Sequence, residues 1–128
     1  MKEIEIDKNR RKLKRYLVHE GSLVQTKTYY AIVGQINDIS LDGVSFTYVD
    51  IGNDLNGTFE LSIWFNNILF IENIKCKTIS DFSLKERTYS KELKIRRRGV
   101  QFLDLKQSQI SKIENFIQNN TNIVEQDE

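Results

Sequence analysis

The sequence predicts a mainly β protein, a small six-stranded antiparallel β-barrel with a C-terminal α-helix packed on it. Short segments rich in β-branched and aromatic residues alternate with turn signals from Tyr16 to about Phe102, which allows five or six strands. The apolar residues then change to a helical period. A length of 128 residues fits one domain with a single modest core. Several short strands followed by one helix favour a barrel that the helix covers.

Turn residues divide the first half of the strand region. Gly21-Ser22 and Gly34 interrupt the segments that precede Val44–Val49, whose residues are typical of a strand. A turn is predicted next by Asn53-Asp54 and Asn56-Gly57, because Asn-Gly suits the positive φ angles of a tight hairpin.

The clearest strand is Thr58–Phe65, whose odd-numbered residues are apolar and would share one face. Trp64 falls on the other face, where it could stack on a base or pack under the helix; we favour packing. Asn66-Asn67 predicts a second turn. Ile68–Thr78 predicts a further strand, in which Glu72 breaks the alternation and indicates a bulge.

The remaining elements follow in order. Residues 81–91 are polar and predict a loop, and Leu93–Leu103 predicts the last strand, with Gly99 as an irregularity. A helix is predicted next, with one apolar face formed by Ile110, Ile113, Phe116 and Ile117. Asp104-x-x-Gln107 resembles a capping box, Ser108 is a rival cap, and the helix should end near Asn119-Asn120.

Charge is nearly balanced, with a formal net charge of +1, but it is unevenly distributed. Basic residues crowd the N-terminal arm (residues 1–15) and recur at Arg96-Arg97-Arg98, which favours a local anion site over general coating of nucleic acid. No signal-peptide core or bilayer-length apolar run is present in the sequence, so we expect a cytoplasmic protein.

Arg11 and Arg15 form an Arg-x-x-x-Arg pair in this arm. A guanidinium can clamp a phosphate, or the O6/N7 edge of guanine, with two parallel hydrogen bonds. Basic arms are also common as solubilising tails or nonspecific phosphate binders. The pair alone therefore does not identify a ligand.

A second motif reads Asp-x-Ser-x-x-Gly, with Asp38, Ser40 and Gly43 at its fixed positions. In a strand, Asp38 and Ser40 project to the same side. A carboxylate accepts hydrogen bonds from N–H groups such as the N1/N2 edge of guanine, and a serine hydroxyl both donates and accepts. Gly43 allows an unusual backbone conformation or a close approach of backbone to ligand. The alternative interpretation is a plain capped turn between two strands.

The Arg-x-x-x-Arg pair comes first, the Asp-x-Ser-x-x-Gly motif follows, and Gly99–Leu105 leads into the helix. This combination resembles the PilZ family of cyclic di-GMP receptors. The resemblance covers roughly residues 8–118. It implies a barrel that binds cyclic di-GMP on its outer surface, with the arm folded over the nucleotide.

The resemblance also implies individual roles. Arg11 and Arg15 would contact phosphate and guanine, Asp38 and Ser40 would read guanine, and Gly43 would shape the turn.

An arginine directly before the Arg-x-x-x-Arg pair, here Arg10, favours capture of a stacked, intercalated dimer in this family. We therefore expect two nucleotides per protein. Arg98 is a weaker candidate for contact, and a solvated strand charge is the preferred interpretation of it.

The predicted organisation is a flexible basic arm over residues 1–15, a PilZ-like barrel with its helix over 16–120, and a polar tail over 121–128. The predicted function is a monomeric receptor that orders its arm on cyclic di-GMP and signals to an unidentified protein partner. No cofactor, nucleic-acid polymer or membrane insertion is predicted. The alternatives are a nucleic-acid-binding barrel and a PilZ-like adaptor that acts independently of the nucleotide.

Catalysis and metal binding find little support in the sequence. His19 is the only histidine and Cys76 the only cysteine, so a zinc constellation is excluded. His19 is interpreted as a surface or packing residue and Cys76 as a core residue. The carboxylates show no paired arrangement typical of a catalytic site.

Overall fold

The computed structural model describes residues 13–28, 31–52, 57–84 and 94–121. Within these ranges, the elements in chain order are β1 (Tyr16–Leu17), β2 (Ser22–Lys27), β3 (Val33–Ser40), β4 (Gly43–Val49), β5 (Thr58–Phe65), β6 (Ile68–Ser83), β7 (Ile95–Phe102) and α1 (Gln107–Asn120).

The strands form a closed antiparallel barrel. The sheet runs β3-β2-β5-β6-β7-β4, and β4 pairs again with β3, so six of the described strands close on themselves. The two-residue strand β1 pairs with the end of β3, through Tyr16 opposite Ile39 and Leu17 opposite Asp38. The predicted six-stranded barrel with a C-terminal helix is confirmed.

The core fills the barrel with inward-facing apolar side chains, as the alternation of the strands predicts. On β5, Phe59, Leu61 and Ile63 are buried. Helix α1 adds Ile113, Phe116 and Ile117. The Phe116 ring lies 6.4 Å from that of Phe65 and 5.3 Å from that of Phe70, measured between centroids. The core consists of Val24, Ile32, Ile36, Ile39, Val44, Phe46, Tyr48, Phe59, Leu61, Ile63, Ile71, Ile74, Cys76, Val100, Phe102, Ile113, Phe116 and Ile117.

Both predicted strand irregularities are present. The register of β5 with β6 shifts between Leu61 and Ile63, opposite the segment that holds Glu72, and the neighbouring Asn73 has a φ of 59°. The register of β6 with β7 shifts opposite Gly99, where a Cβ would lie 2.8 Å from the Ser80 Oγ. A side chain at position 99 would therefore require the Ser80 hydroxyl to move, at a point where the register of the two strands shifts.

The predicted end of one strand was wrong. Strand β6 continues to Ser83, because Asp81 pairs with Arg98 on β7 and its carboxylate accepts a hydrogen bond from Arg96. Most of the predicted 81–91 loop, and the predicted turn residues 53–56, lie outside the described residues.

The predicted cap residues of the helix were also wrong. Asp104 has a φ of 50°, and its carboxylate lies 3.7 Å from the Lys75 Nζ. Helix α1 is preceded by Lys106, whose backbone N–H donates to the Gln109 side-chain oxygen at 3.0 Å. Gln109 also donates to the Asn73 carbonyl at 3.1 Å, so this residue ties the start of the helix to β6.

Trp64 is half-buried on the outer face of β5. It lines a surface cavity of about 240 Å³ together with Leu23, Val33 and Asn67. Across the described ranges, no helix is long and apolar enough to cross a membrane.

The single cysteine is predicted to be chemically inert in the folded protein. Cys76 is fully buried, and burial raises the pKa of its thiol from 9.0 to about 12. Because the folded pKa is raised, this thiol contributes stability that is fully present below pH 9 and is lost as the pH rises toward 12. We expect a thiol reagent to label Cys76 only at the rate of unfolding. Between pH 8 and 10, the free energy of unfolding measured in urea should fall less for the Cys76→Ala variant than for wild type. Rapid labelling of the native protein would contradict the burial of Cys76.

Candidate functional site

The Asp-x-Ser-x-x-Gly segment forms the end of β3 and a tight connection into β4. Asp38 pairs with Ser45, and Ser40 pairs with Gly43. Between them, Ile39 points into the core and is fully buried. Side chains alternate along a strand, so Asp38 and Ser40 lie together on the outer face of the barrel.

Arg15 connects the N-terminal segment to this motif. Its Nε lies 2.6 Å from the Asp38 Oδ1, and its Nη1 donates to the Ser40 Oγ at 3.3 Å. Strand β1 accounts for this proximity, because Leu17 pairs with Asp38 and so places the residues just before β1 at the end of β3. The described half of the Arg-x-x-x-Arg pair therefore contacts both polar positions of the second motif.

The hydroxyl of Ser40 is fully engaged. It donates to the Asp42 Oδ1 at 2.7 Å, and it accepts from the Asp42 backbone N–H at 3.3 Å as well as from Arg15. Ser40 has no solvent-exposed surface, whereas the Arg15 side chain is 44% exposed. A ligand can therefore reach the Ser40 hydroxyl only if the side chains that contact it, Arg15 and Asp42, change position.

Gly43 is the first residue of β4, and its role is a close approach between strands. A Cβ at this position would lie 2.4 Å from the Val100 carbonyl oxygen on β7. Gly43 pairs with Gln101, so the clash would fall within a regular antiparallel ladder. The glycine thus allows β4 and β7 to close the barrel beside Asp38 and Ser40.

The Gly43→Ala variant is expected to unfold at lower denaturant concentration. The Val100 backbone cannot move aside as a flexible side chain can, so we expect a loss of about 1–3 kcal/mol in the free energy of unfolding. Chemical denaturation measures this loss. Gly52→Ala measures the separate cost of a left-handed backbone, since the φ of Gly52 is 94° and an added Cβ meets no atom within 4 Å. Equal stability of Gly43→Ala and wild type would contradict the close-approach explanation.

Arg97 is the residue at this site that the sequence analysis missed. Its Nη2 donates to the Asp38 Oδ2 at 2.8 Å and to the Ser45 Oγ at 3.2 Å. It reaches the site because β7 pairs with β4, which in turn pairs with β3. The arginine run hinted at an anion site, but only the strand order shows which of its members lies beside Asp38.

Arg98 lies inside the barrel, so the interpretation as a solvated strand charge was wrong. It is 4% exposed and donates to the Thr78 Oγ1 at 2.8 Å and to the Tyr48 hydroxyl at 2.9 Å. Its Nη2 also lies 2.6 Å from the Asp81 Oδ2. Side chains alternate between the two faces of β7, and Arg98 falls on the same face as the buried Val100 and Phe102. The strand pattern therefore indicates that Arg98 points inward.

Arg10 and Arg11 lie outside the described residues. The site that the structure describes therefore comprises two arginines, each bound to a different oxygen of one carboxylate, next to a serine hydroxyl. The guanidinium groups can donate two parallel hydrogen bonds to a phosphate or to the O6/N7 edge of guanine. The carboxylate can accept hydrogen bonds from the guanine N1/N2 edge.

No protein-family model and no curated protein sequence matches this chain significantly. Among solved structures, the "PilZ domain with c-di-GMP of YcgR from Escherichia coli" superposes with a TM-score of 0.63 at 16% identity, covering 84% of this chain and 88% of that one. MrkH, a c-di-GMP-dependent transcription regulatory factor, superposes with a TM-score of 0.62 at 13% identity, covering 82% of this chain and 48% of that one. The protein therefore has the fold of a PilZ domain.

Proposed function

We propose that this protein is a receptor for cyclic di-GMP. The observation that carries the proposal is the contact of Arg15 with both Asp38 and Ser40, which brings two separate motifs together on the outer face of the barrel. The fold of a domain that was solved with c-di-GMP supports the same ligand.

The ligand would be recognised by charge and by hydrogen-bonding pattern. Arg15, together with Arg11, contacts phosphate and guanine through guanidinium forks. Asp38 accepts from the guanine N1/N2 edge, and Ser40 binds the base or a phosphate. Each charge-assisted hydrogen bond contributes about 1.5–3 kcal/mol net.

Binding would exchange one partner of Arg15 for another. In the structure Arg15 donates to the Ser40 hydroxyl and occupies one oxygen of Asp38. The nucleotide takes over these contacts, draws Arg15 onto its own phosphate or base, and orders the N-terminal arm over the barrel. Part of the interaction energy is consumed in that ordering.

The output would be a new surface for a protein partner rather than a chemical reaction. We propose a cytoplasmic receptor without catalytic activity, in which the ordered arm and the bound ligand together form the signal. Arg10 supplies a third guanidinium, so we propose two intercalated nucleotides per protein.

Calorimetric titration with cyclic di-GMP tests the proposal through both heat and stoichiometry. We expect saturable binding at two nucleotides per chain, and weaker or no binding of cyclic di-AMP, because adenine does not present the N–H edge that Asp38 accepts. A single-stranded oligonucleotide is the comparison ligand. Oligonucleotide binding that falls steeply with salt, without binding of cyclic di-GMP, would instead favour a nucleic-acid-binding barrel.

A further inference from the structure

The carboxylate of Asp38 is held by two arginines that come from very different parts of the fold. Arg15 approaches the Oδ1 from the segment before β1, and Arg97 approaches the Oδ2 from the interior of β7. Each oxygen of the carboxylate thus has its own arginine. The two arginines need not behave alike when a ligand arrives.

Arg97 is anchored within the barrel wall. Its backbone pairs with Thr47 on β4 and with Phe82 on β6, so strands flank it on both sides. Its side chain is 37% exposed, and one nitrogen donates to both Asp38 and Ser45. This arrangement fixes the direction of the guanidinium by two acceptors and a strand backbone.

Arg15, in contrast, lies before the first strand and donates to the Ser40 hydroxyl at 3.3 Å. A ligand that contacts Asp38 and Ser40 must displace it, whereas Arg97 can stay in place. Once Arg15 transfers to the nucleotide, the Asp38 carboxylate faces a dianionic ligand. Like charges repel, and the repulsion grows as water leaves the site, so the carboxylate then depends on a second positive charge.

We propose that Arg97 is a positioning residue for the ligand site, which holds the Asp38 carboxylate in place and directed at the outer face while Arg15 moves to the nucleotide. This proposal rests on the proposed function. It assigns Asp38 and Arg97 a joint role in reading guanine, in which Asp38 contacts the base and Arg97 acts through Asp38. Arg97 lies outside both sequence motifs and need not touch the ligand.

The test is a double-mutant cycle of cyclic di-GMP affinity, measured by calorimetry at low ionic strength, where weak binding is still quantifiable. The variants are Arg97→Met, Asp38→Asn and the pair together. Arg97→Met is expected to weaken binding about 10-fold to 100-fold. In the Asp38→Asn background, the same replacement is expected to change affinity by no more than about twofold, because its effect passes through Asp38.

Arg96→Met is the matched control. Arg96 is the neighbouring arginine on β7, and its Nε donates to a different carboxylate, that of Asp81, at 3.0 Å. Its removal should leave the affinity within about twofold of wild type. Thermal unfolding of each free variant verifies that the barrel is intact.

The outcomes separate the two proposals. Failure of the wild-type chain to bind cyclic di-GMP overturns the proposed function, and the role of Arg97 with it. Wild-type binding combined with unchanged affinity in Arg97→Met overturns the role of Arg97 alone. If Arg97→Met lowers the affinity for cyclic di-GMP equally in the wild-type and Asp38→Asn backgrounds, Arg97 contacts the ligand directly. That result overturns the positioning role.

Discussion

Replacing Arg98 with methionine is expected to lower the free energy of unfolding by about 3 kcal/mol. Arg98 is 4% exposed and supplies a positive charge to Asp81 at 2.6 Å inside the barrel. Methionine fills similar space but leaves the largely buried carboxylate with less compensation, and it removes the donor to the Tyr48 hydroxyl. Urea denaturation followed by circular dichroism measures the change.

Two variants identify the cause. Arg96→Met removes the more exposed partner of the same carboxylate and should have a clearly smaller effect. The Arg98→Met/Asp81→Leu double variant should recover part of the lost stability, because the charge of Asp81 goes with its partner, whereas the Tyr48 hydroxyl then loses both Arg98 and Asp81. Wild-type stability in Arg98→Met would show that the charge is not needed inside the barrel.

Replacing Arg15 with alanine is expected to weaken cyclic di-GMP binding on the order of 100-fold, because Arg15 can supply two charge-assisted hydrogen bonds to the ligand. The free protein should melt almost as wild type does. The side chain is 44% exposed, and an exposed ion pair contributes less than about 1 kcal/mol. Calorimetry and thermal unfolding together measure the two effects.

Lys14→Ala is the matched control, because it removes a positive charge from the adjacent position without removing a planar fork. Its affinity should stay much closer to that of wild type. If Arg15→Ala bound as tightly as wild type, the N-terminal segment would have no part in ligand recognition.

The fold follows largely from local patterns in the sequence. Alternation in Thr58–Phe65, turn residues at Asn66-Asn67 and the helical period after residue 104 each reflect contacts within one element or one hairpin. The wrong boundaries have nonlocal causes. Asp81 extends β6 because it meets arginines of β7, and the helix starts at Gln107 because Gln109 binds Lys106 and β6.

Some residues of the candidate site can also be predicted from local sequence, and others cannot. Asp38 and Ser40 are predictable from their spacing, because two residues on one strand share a face. Arg97 is not, since its distance to Asp38 depends on the order β7-β4-β3 and on the register of both pairings. The strand that contains Arg98 was predicted, and the parity of Arg98 matches that of the buried Val100 and Phe102. A charge on the core face is stable only with a partner, and that partner, Asp81, lies on a different strand.

An amide NMR titration with unlabelled cyclic di-GMP tests the location of the site most directly. We expect the largest chemical-shift changes on Leu13–Leu17, on Asp38 to Ser45 and around Arg97, because Arg15 and Arg97 both contact Asp38. Helix α1 and the Asn66-Asn67 turn should change little. Shift changes centred on the Trp64 cavity, or an unchanged spectrum at saturating nucleotide, would contradict a cyclic di-GMP site beside Asp38.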